Sequence, residues 1–239
     1  MQGPIYLISI VGISVLPVVI TGLYIKYTFP SIKIGFMLST MAIGCLSLFI
    51  GSMFQLLLPM NTNTTILSLL YSVLVRNAFT EELGRLITFW LILVILPIMG
   101  QSRTIPQTFT MYASRDIMIY RGVLAGFVFA MIENISYGLL NLQLVIIRTI
   151  TSAPLHAACS ARIALVVYYG WSLGTASQKS KNIGKALFYG ISAILIHGFY
   201  NLLLLFSAAF AVIPIAIACI ALISVLALTK IDRKDTISQ

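Results

Sequence analysis

Long apolar runs separated by short polar stretches organise this chain from end to end. They fall at about 5–25, 34–58, 66–98, 117–141, 153–174, 186–207 and 210–229. A helix rises ~1.5 Å per residue, so about 20 residues cross the ~30 Å hydrocarbon core of a bilayer. Each run is long enough for one crossing, and the pattern predicts an all-α, polytopic membrane bundle of about seven transmembrane helices. The third run is longer than a crossing requires and contains the charged stretch from Arg76 to Arg85. That predicts a tilted helix, or one broken near Asn77. The fifth starts at Thr151-Ser152-Ala153-Pro154, with a capping hydroxyl and a proline in the first turn. The first run has no basic leader and continues to full length, so it reads as a helix rather than a cleavable signal.

Composition agrees with lipid as the solvent. Hydrophobic residues make up 59% of the 239 residues and charged residues 9%, against roughly 45–50% and about 25% in soluble domains. The mean hydropathy is +1.02. A formal charge of +9 would suggest nucleic acid, but the basic residues sit in short loops on alternate sides of the runs, which excludes that role. Lys26 and Lys33 follow the first run, Arg103 and Arg115 the third, Lys179, Lys181 and Lys185 the fifth, and Lys230, Arg233 and Lys234 the last. The intervening loops, around 59–65, 142–150 and 208–210, carry only Arg148. Under the positive-inside rule the N-terminus lies outside and the C-terminus in the cytoplasm. The longest loop, about 99–116, is then cytoplasmic. Asn63-Thr64-Thr65 has the spacing of a glycosylation acceptor, a motif short enough to arise by chance. Cys45, Cys159 and Cys219 each lie inside an apolar run and read as packing residues, with no disulfide framework. There is no repeat, soluble domain or low-complexity tract, so residues 1–239 form a single transmembrane domain.

A few ionisable residues remain at membrane depth: Arg76, Glu81, Glu82, Arg85, Glu133, His156, Arg162 and His197. Even a lenient scale sets the cost of a charge at a helix centre at about 2.5–3.5 kcal/mol, so such residues usually face a polar cavity. The glutamates and histidines come from four different runs. With alternating helix directions they all lie between the midplane and the outer surface, and Glu133 stands about 12 Å short of its helix's outer end. Glu81 and Arg85 are i,i+4 and can pair; His197 and Asn201 share the same spacing. Taken singly, each has a plain structural reading: an ion pair inside a bundle, or a histidine bonded between helices. Arg76 and Arg162 read as structural or interfacial, and Cys159, one turn after His156, as packing. The coincidence of three glutamates and two histidines at one depth favours chemistry.

These residues also resemble a known family. Glu81-Glu82-Leu83-Gly84-Arg85 is similar to the EExxK/R motif of PrsW-type membrane peptidases, with arginine where lysine is common. Phe129-Ala130-Met131-Ile132-Glu133-Asn134 resembles their FxxxEN motif, and the lead-in from Asp116 through Gly126 is similar too. Arg148, Pro154 and His156 resemble the segment carrying the family's first histidine, and His197-Gly198-Phe199-Tyr200-Asn201 its final HGxxN-like element. The similarity covers about 76–203. A broader relationship to the CAAX-prenyl endopeptidase group follows, although that group typically has histidine where this chain has Glu133. The resemblance implies a peptidase core at about 66–207, with peripheral helices at about 5–25, 34–58 and 210–229. It implies hydrolysis of a peptide bond in a membrane-anchored protein near the extracytoplasmic face, in the plasma membrane of a prokaryote. Such enzymes are associated with site-1 cleavage of anti-sigma factors in signalling.

The expected catalytic set is Glu81, Glu82, Arg85, Glu133, Asn134, His156, His197 and Asn201. Glu81 or Glu82 is the candidate base, with Arg85 keeping one of the pair ionised. Glu133, His156 and His197 could hold a divalent metal, with zinc the best match to the donors. Asn134 and Asn201 could donate to an oxyanion. A glutamate-only route needs no metal, and no HExxH is present. Two other classes compete: a proton or cation transporter using the same cluster, and a non-catalytic scaffold or immunity-type protein. Matching inverted halves would favour the first and degenerate motifs the second; neither is seen. The substrate, the scissile bond and the oligomeric state are not encoded in any pattern of this chain.

Overall fold

The computed structural model describes residues 3–60, 65–95, 114–171, 176–205 and 212–237, without the side chains of 94–95, 176 and 230–237. Most of the 99–116 loop with Arg103, Asn63 and Thr64, the 208–210 loop and the side chains of Lys230, Arg233 and Lys234 lie outside the described residues.

The described residues form helices and no strands. Two apolar helices come first, α1 (Pro4–Thr28) and α2 (Ile34–Leu57). A continuous helical rod over 66–95, here α3, follows. Its α-helical parts, Ile66–Leu70 and Thr80–Trp90, alternate with π-wound stretches at Tyr71–Phe79 and Leu91–Ile95. The expected irregularity at Asn77 is therefore a change of winding, not a break. Then come α4 (Arg115–Gly138), α5 (Leu142–Ile150), α6 (Ser152–Trp171), α7 (Ala176–Leu203) and α8 (Val212–Ile237).

Four helices are long and apolar enough to cross a membrane unaided: Pro4–Thr28, Ile34–Leu57, Ser177–Leu203 and Val212–Thr229. A fifth crossing is available if α5 and α6, bent by 44°, count as one span. The protein is thus an integral membrane helical bundle, with four to five apolar candidate spans among the described residues. The segment 142–150, expected as a loop, is instead the short helix α5. The Asn141 side chain accepts from Gln143 N at its start, and an apolar face with Val145 fully buried explains why it winds.

Burial separates the helices by role. On α1, Ile5, Ile8, Leu23 and Tyr27 point outward, as do Val212, Ile220 and Ile223 on α8. In contrast α6 is buried along nearly its whole length, and α4 along most of its first half. Small residues let these two inner helices touch backbone to backbone. Gly122 faces Ala161 and Ser160, and Gly126 faces Ala157 and the carbonyl of His156. Close approach through Gly and Ala is how membrane helices gain packing contacts when lipid is as apolar as leucine. It also sets His156 of α6 beside Phe129 and Glu133 of α4. On the other side, Gly84 of α3 rests on Gly51 and Ser47 of α2, so Glu81 and Glu82 are carried on a turn pinned by glycine.

Candidate active site

Glu81, Glu82 and Arg85 of α3, Glu133 of α4, His156 of α6 and His197 of α7 meet in one hydrogen-bonded network. Its centre is Arg85, which is fully buried. One of its η nitrogens donates to Glu82 Oε1. The other lies 3.5 Å from Glu81 Oε2 and 2.7 Å from His156 Nδ1, and the Phe129 ring supports the guanidinium face at 4.1 Å. A buried charge is tolerable only when paired and hydrogen-bonded, and here two carboxylates and an imidazole do that.

Each histidine is held from both sides. His197 Nδ1 is 2.8 Å from Glu82 Oε1, and its Nε2 is 3.7 Å from Glu81 Oε2. A carboxylate accepting from Nδ1 leaves the lone pair on Nε2, the tautomer that can bind a cation. His156 Nε2 is 2.8 Å from Glu133 Oε2, and the two imidazole rings meet edge to face at 5.2 Å. Because Arg85 can only donate, His156 Nδ1 accepts and the ring proton sits on Nε2, toward Glu133.

Glu81 and Glu82 are adjacent yet differ in access. Glu81 faces a cavity of about 410 Å³, and Gln55 of α2 donates to its Oε1 at 3.3 Å. Glu82 is 1% exposed, does not line that cavity, and its Oε2 is buried with no hydrogen-bond partner. Glu133, His156, His197 and Asn201 line the same cavity, with Asn77, Tyr137 and Arg148. Of the expected set, then, Glu81, Glu133, His156, His197 and Asn201 face this cavity. Glu82, Arg85 and Asn134 stand behind it. Asn134 is buried, accepts from Arg148 Nε at 3.0 Å and donates to Thr149 Oγ1 at 3.4 Å.

Ligand atoms of Glu81, His156 and His197 all lie within 4.8 Å of one another. One carboxylate and two imidazoles are a familiar donor set for catalytic zinc, whose ligands stand about 2.0–2.2 Å from the ion. The residues therefore fit a divalent cation, given a small inward movement. The expected ligand set had Glu133 in the place that Glu81 takes here. Whichever ring nitrogen of His156 meets the cation, Arg85 has to withdraw from Nδ1, whereas His197 needs no change.

Two residues escaped the sequence reading as site residues. Arg148 of α5 contacts Glu133 Oε2 at 2.7 Å, donates to Ser152 Oγ at 3.2 Å and stacks on Tyr137 at 4.0 Å. Its signal was being the lone charge in the stretches that the sequence pattern assigned to outer loops. Gln55 had a weaker one, a single amide near the end of an apolar run.

Comparison with known proteins now bears on this geometry. A family model described as PrsW family intramembrane metalloprotease matches residues 30–229. No curated protein matches the chain, and no solved structure does.

Proposed function

The chain belongs to the PrsW family of intramembrane metalloproteases, and from that premise we propose that it is an endopeptidase cutting membrane-anchored proteins near the extracytoplasmic face. The protein is a membrane-embedded peptidase; its substrate class, topology and residue roles are our reading. The observation that carries it is the grouping of Glu81, His156 and His197 within 4.8 Å, on the wall of a cavity of about 410 Å³.

In the topology we propose, α1, α2, α3, α4, α6, α7 and α8 each cross the membrane. The N-terminus is outside and the C-terminus cytoplasmic, the arrangement that the distribution of basic residues favours. The cavity rim residues Tyr137, Arg148, Ser152 and Leu204 then stand at the outer ends of their helices. A prokaryotic plasma membrane and a single-pass regulator of the anti-sigma type suit such a site.

Glu81, His156 and His197 are the proposed zinc ligands. Zinc bound there would polarise the scissile carbonyl and acidify water. Glu133 is the proposed general base, since its carboxylate faces the cavity and Glu82 does not. It takes a proton from the attacking water and passes it to the leaving amine as the C–N bond breaks. Arg148 and Asn201, which also line the cavity, donate to the oxyanion. Glu82 orients His197, and Arg85 ties Glu81 to Glu82.

The proton that Arg85 keeps on His156 Nε2 favours one rival, in which Glu81 activates water directly and His156 donates to the oxyanion without metal. Chelation decides between them. Purified protein is treated with a chelator, reconstituted with a cleavable single-pass protein, and assayed before and after zinc is returned. Activity lost and then restored supports the metal route; an unchanged rate in demonstrably zinc-free protein favours the rival.

A further inference from the structure

A second intramembrane cation takes no part in this chemistry. Arg162 of α6 is 7% exposed and stands half-way along its helix, about 15 Å from either end at ~1.5 Å per residue. Its Nη1 donates to the carbonyls of Ala158 at 3.0 Å and Ala221 at 3.1 Å, and its Nη2 donates to Ser224 Oγ at 2.7 Å. All three acceptors are neutral. Among the described residues no carboxylate lies within ion-pair distance of Arg162, whereas Arg85 and Arg148 are both paired. The chain has only six acidic residues, and three of them are in the network above.

Arg162 lines a separate cavity of about 270 Å³ with Phe188, Tyr189, Ser192, Ile196 and Ser224. These residues belong to α6, α7 and α8. Phe188, Ile191 and Leu195 on α7 and Ile220 and Ile223 on α8 are more than half exposed, so the neighbouring faces of both helices meet lipid. The cleft therefore offers an apolar rim, hydroxyl groups and an uncompensated guanidinium at mid-membrane depth.

We infer that this cleft between α7 and α8 is a docking site for a second transmembrane helix bearing an Asp or Glu side chain. Charge complementarity names the ligand: a buried guanidinium that finds only neutral acceptors among the described residues gains most from a carboxylate. Depth selects the source. A lipid phosphate would have to leave the headgroup layer to reach the middle of α6, while a carboxylate on a spanning helix arrives there directly.

The test is a binding measurement, so its failure would leave the peptidase reading untouched. Labelled full-length protein in phosphatidylcholine vesicles is titrated at pH 8 with a labelled Leu/Ala transmembrane peptide carrying one central Glu, and with its Gln counterpart, by energy transfer. The Glu peptide is expected to bind wild type about tenfold more tightly, a difference of about 1.4 kcal/mol. Arg162→Gln should erase the preference and Arg162→Lys keep part of it. Ser192→Leu, which narrows the cleft and leaves the Arg162 hydrogen bonds in place, should weaken Glu-peptide binding and guards against a folding defect in the arginine variants. Equal binding of the two peptides to wild type would overturn the proposal, as would a Glu preference that survives Arg162→Gln. Adding phosphatidylglycerol tests the other source: loss of the preference in wild type at equimolar anionic lipid would assign the cleft to a lipid phosphate and overturn the helix.

Discussion

Alanine at Gly84 tests how the paired glutamates are held. A Cβ at this position would lie 2.6 Å from Gly51 N, 2.8 Å from Gly51 Cα and 2.8 Å from the Ser47 carbonyl oxygen. All three are backbone atoms, so no side chain can swing aside to make room. Comfortable carbon contacts sit at about 3.5–4.0 Å, which means α2 and α3 must part by about an ångström. Overpacking of this kind costs about 1–3 kcal/mol, and the better helix propensity of alanine returns about 0.5–1 kcal/mol. A net loss of about 1–2 kcal/mol should lower the melting temperature by a few degrees. Function should suffer more, because Glu81 and Glu82 ride on the same turn and a misplacement of about 1 Å can cost about 10²-fold in rate. Thermal unfolding in detergent and cleavage in proteoliposomes would be measured beside Gly12→Ala, where a Cβ meets nothing within 4 Å. The control should be near wild type in both. Wild-type cleavage and stability in Gly84→Ala would refute the close α2–α3 packing as the support of the site.

Other outcomes follow from the same network. Glu82→Gln removes the carboxylate that orients His197, so zinc affinity in a competition titration should fall about 10–100-fold. It also leaves buried Arg85 with a weaker set of partners, destabilising the fold by about 3 kcal/mol as read by denaturant unfolding. Glu133→Gln should retain zinc yet lose cleavage, whereas His197→Ala should lose both; metal content and activity measured on one preparation separate them. Arg148→Ala frees Glu133 and removes an oxyanion donor, so kcat should drop about 10²-fold with zinc content unchanged. Arg148→Lys should recover little of it, since lysine cannot reach Glu133, Asn134 and Ser152 together.

Much of the architecture was legible because lipid imposes so plain a pattern. The run at 34–58 became Ile34–Leu57, and the fifth run starts at Ser152 with Pro154 in its first turn as expected, although the Thr151 hydroxyl donates to the Ile147 carbonyl. The convergence of Glu81, His156, Glu133 and His197 also followed from helix direction and depth alone. What escaped was set by geometry between helices. That Glu82 turns inward while Glu81 faces the cavity depends on the rotation of α3, which its π-wound stretch alters by changing the residues per turn. The helix at Leu142–Ile150 was hidden because nine residues are too few to signal a crossing, and with it the role of Arg148. Gln55 meets Glu81 only because Gly51 and Gly84 let α2 and α3 approach, which no pattern within one helix encodes.

The central claim is that a cavity walled by Glu81, His156, His197 and Glu133 hydrolyses peptide bonds in membrane proteins. Its most direct measurement is mass-spectrometric mapping of products after wild-type protein, Glu81→Gln and Glu133→Gln are each reconstituted with single-pass proteins from the source membrane in H₂¹⁸O. The account requires new C-termini near the extracytoplasmic face, each carrying one oxygen from water, with the wild type alone. No cleavage by wild type, or equal cleavage by both variants, would contradict it.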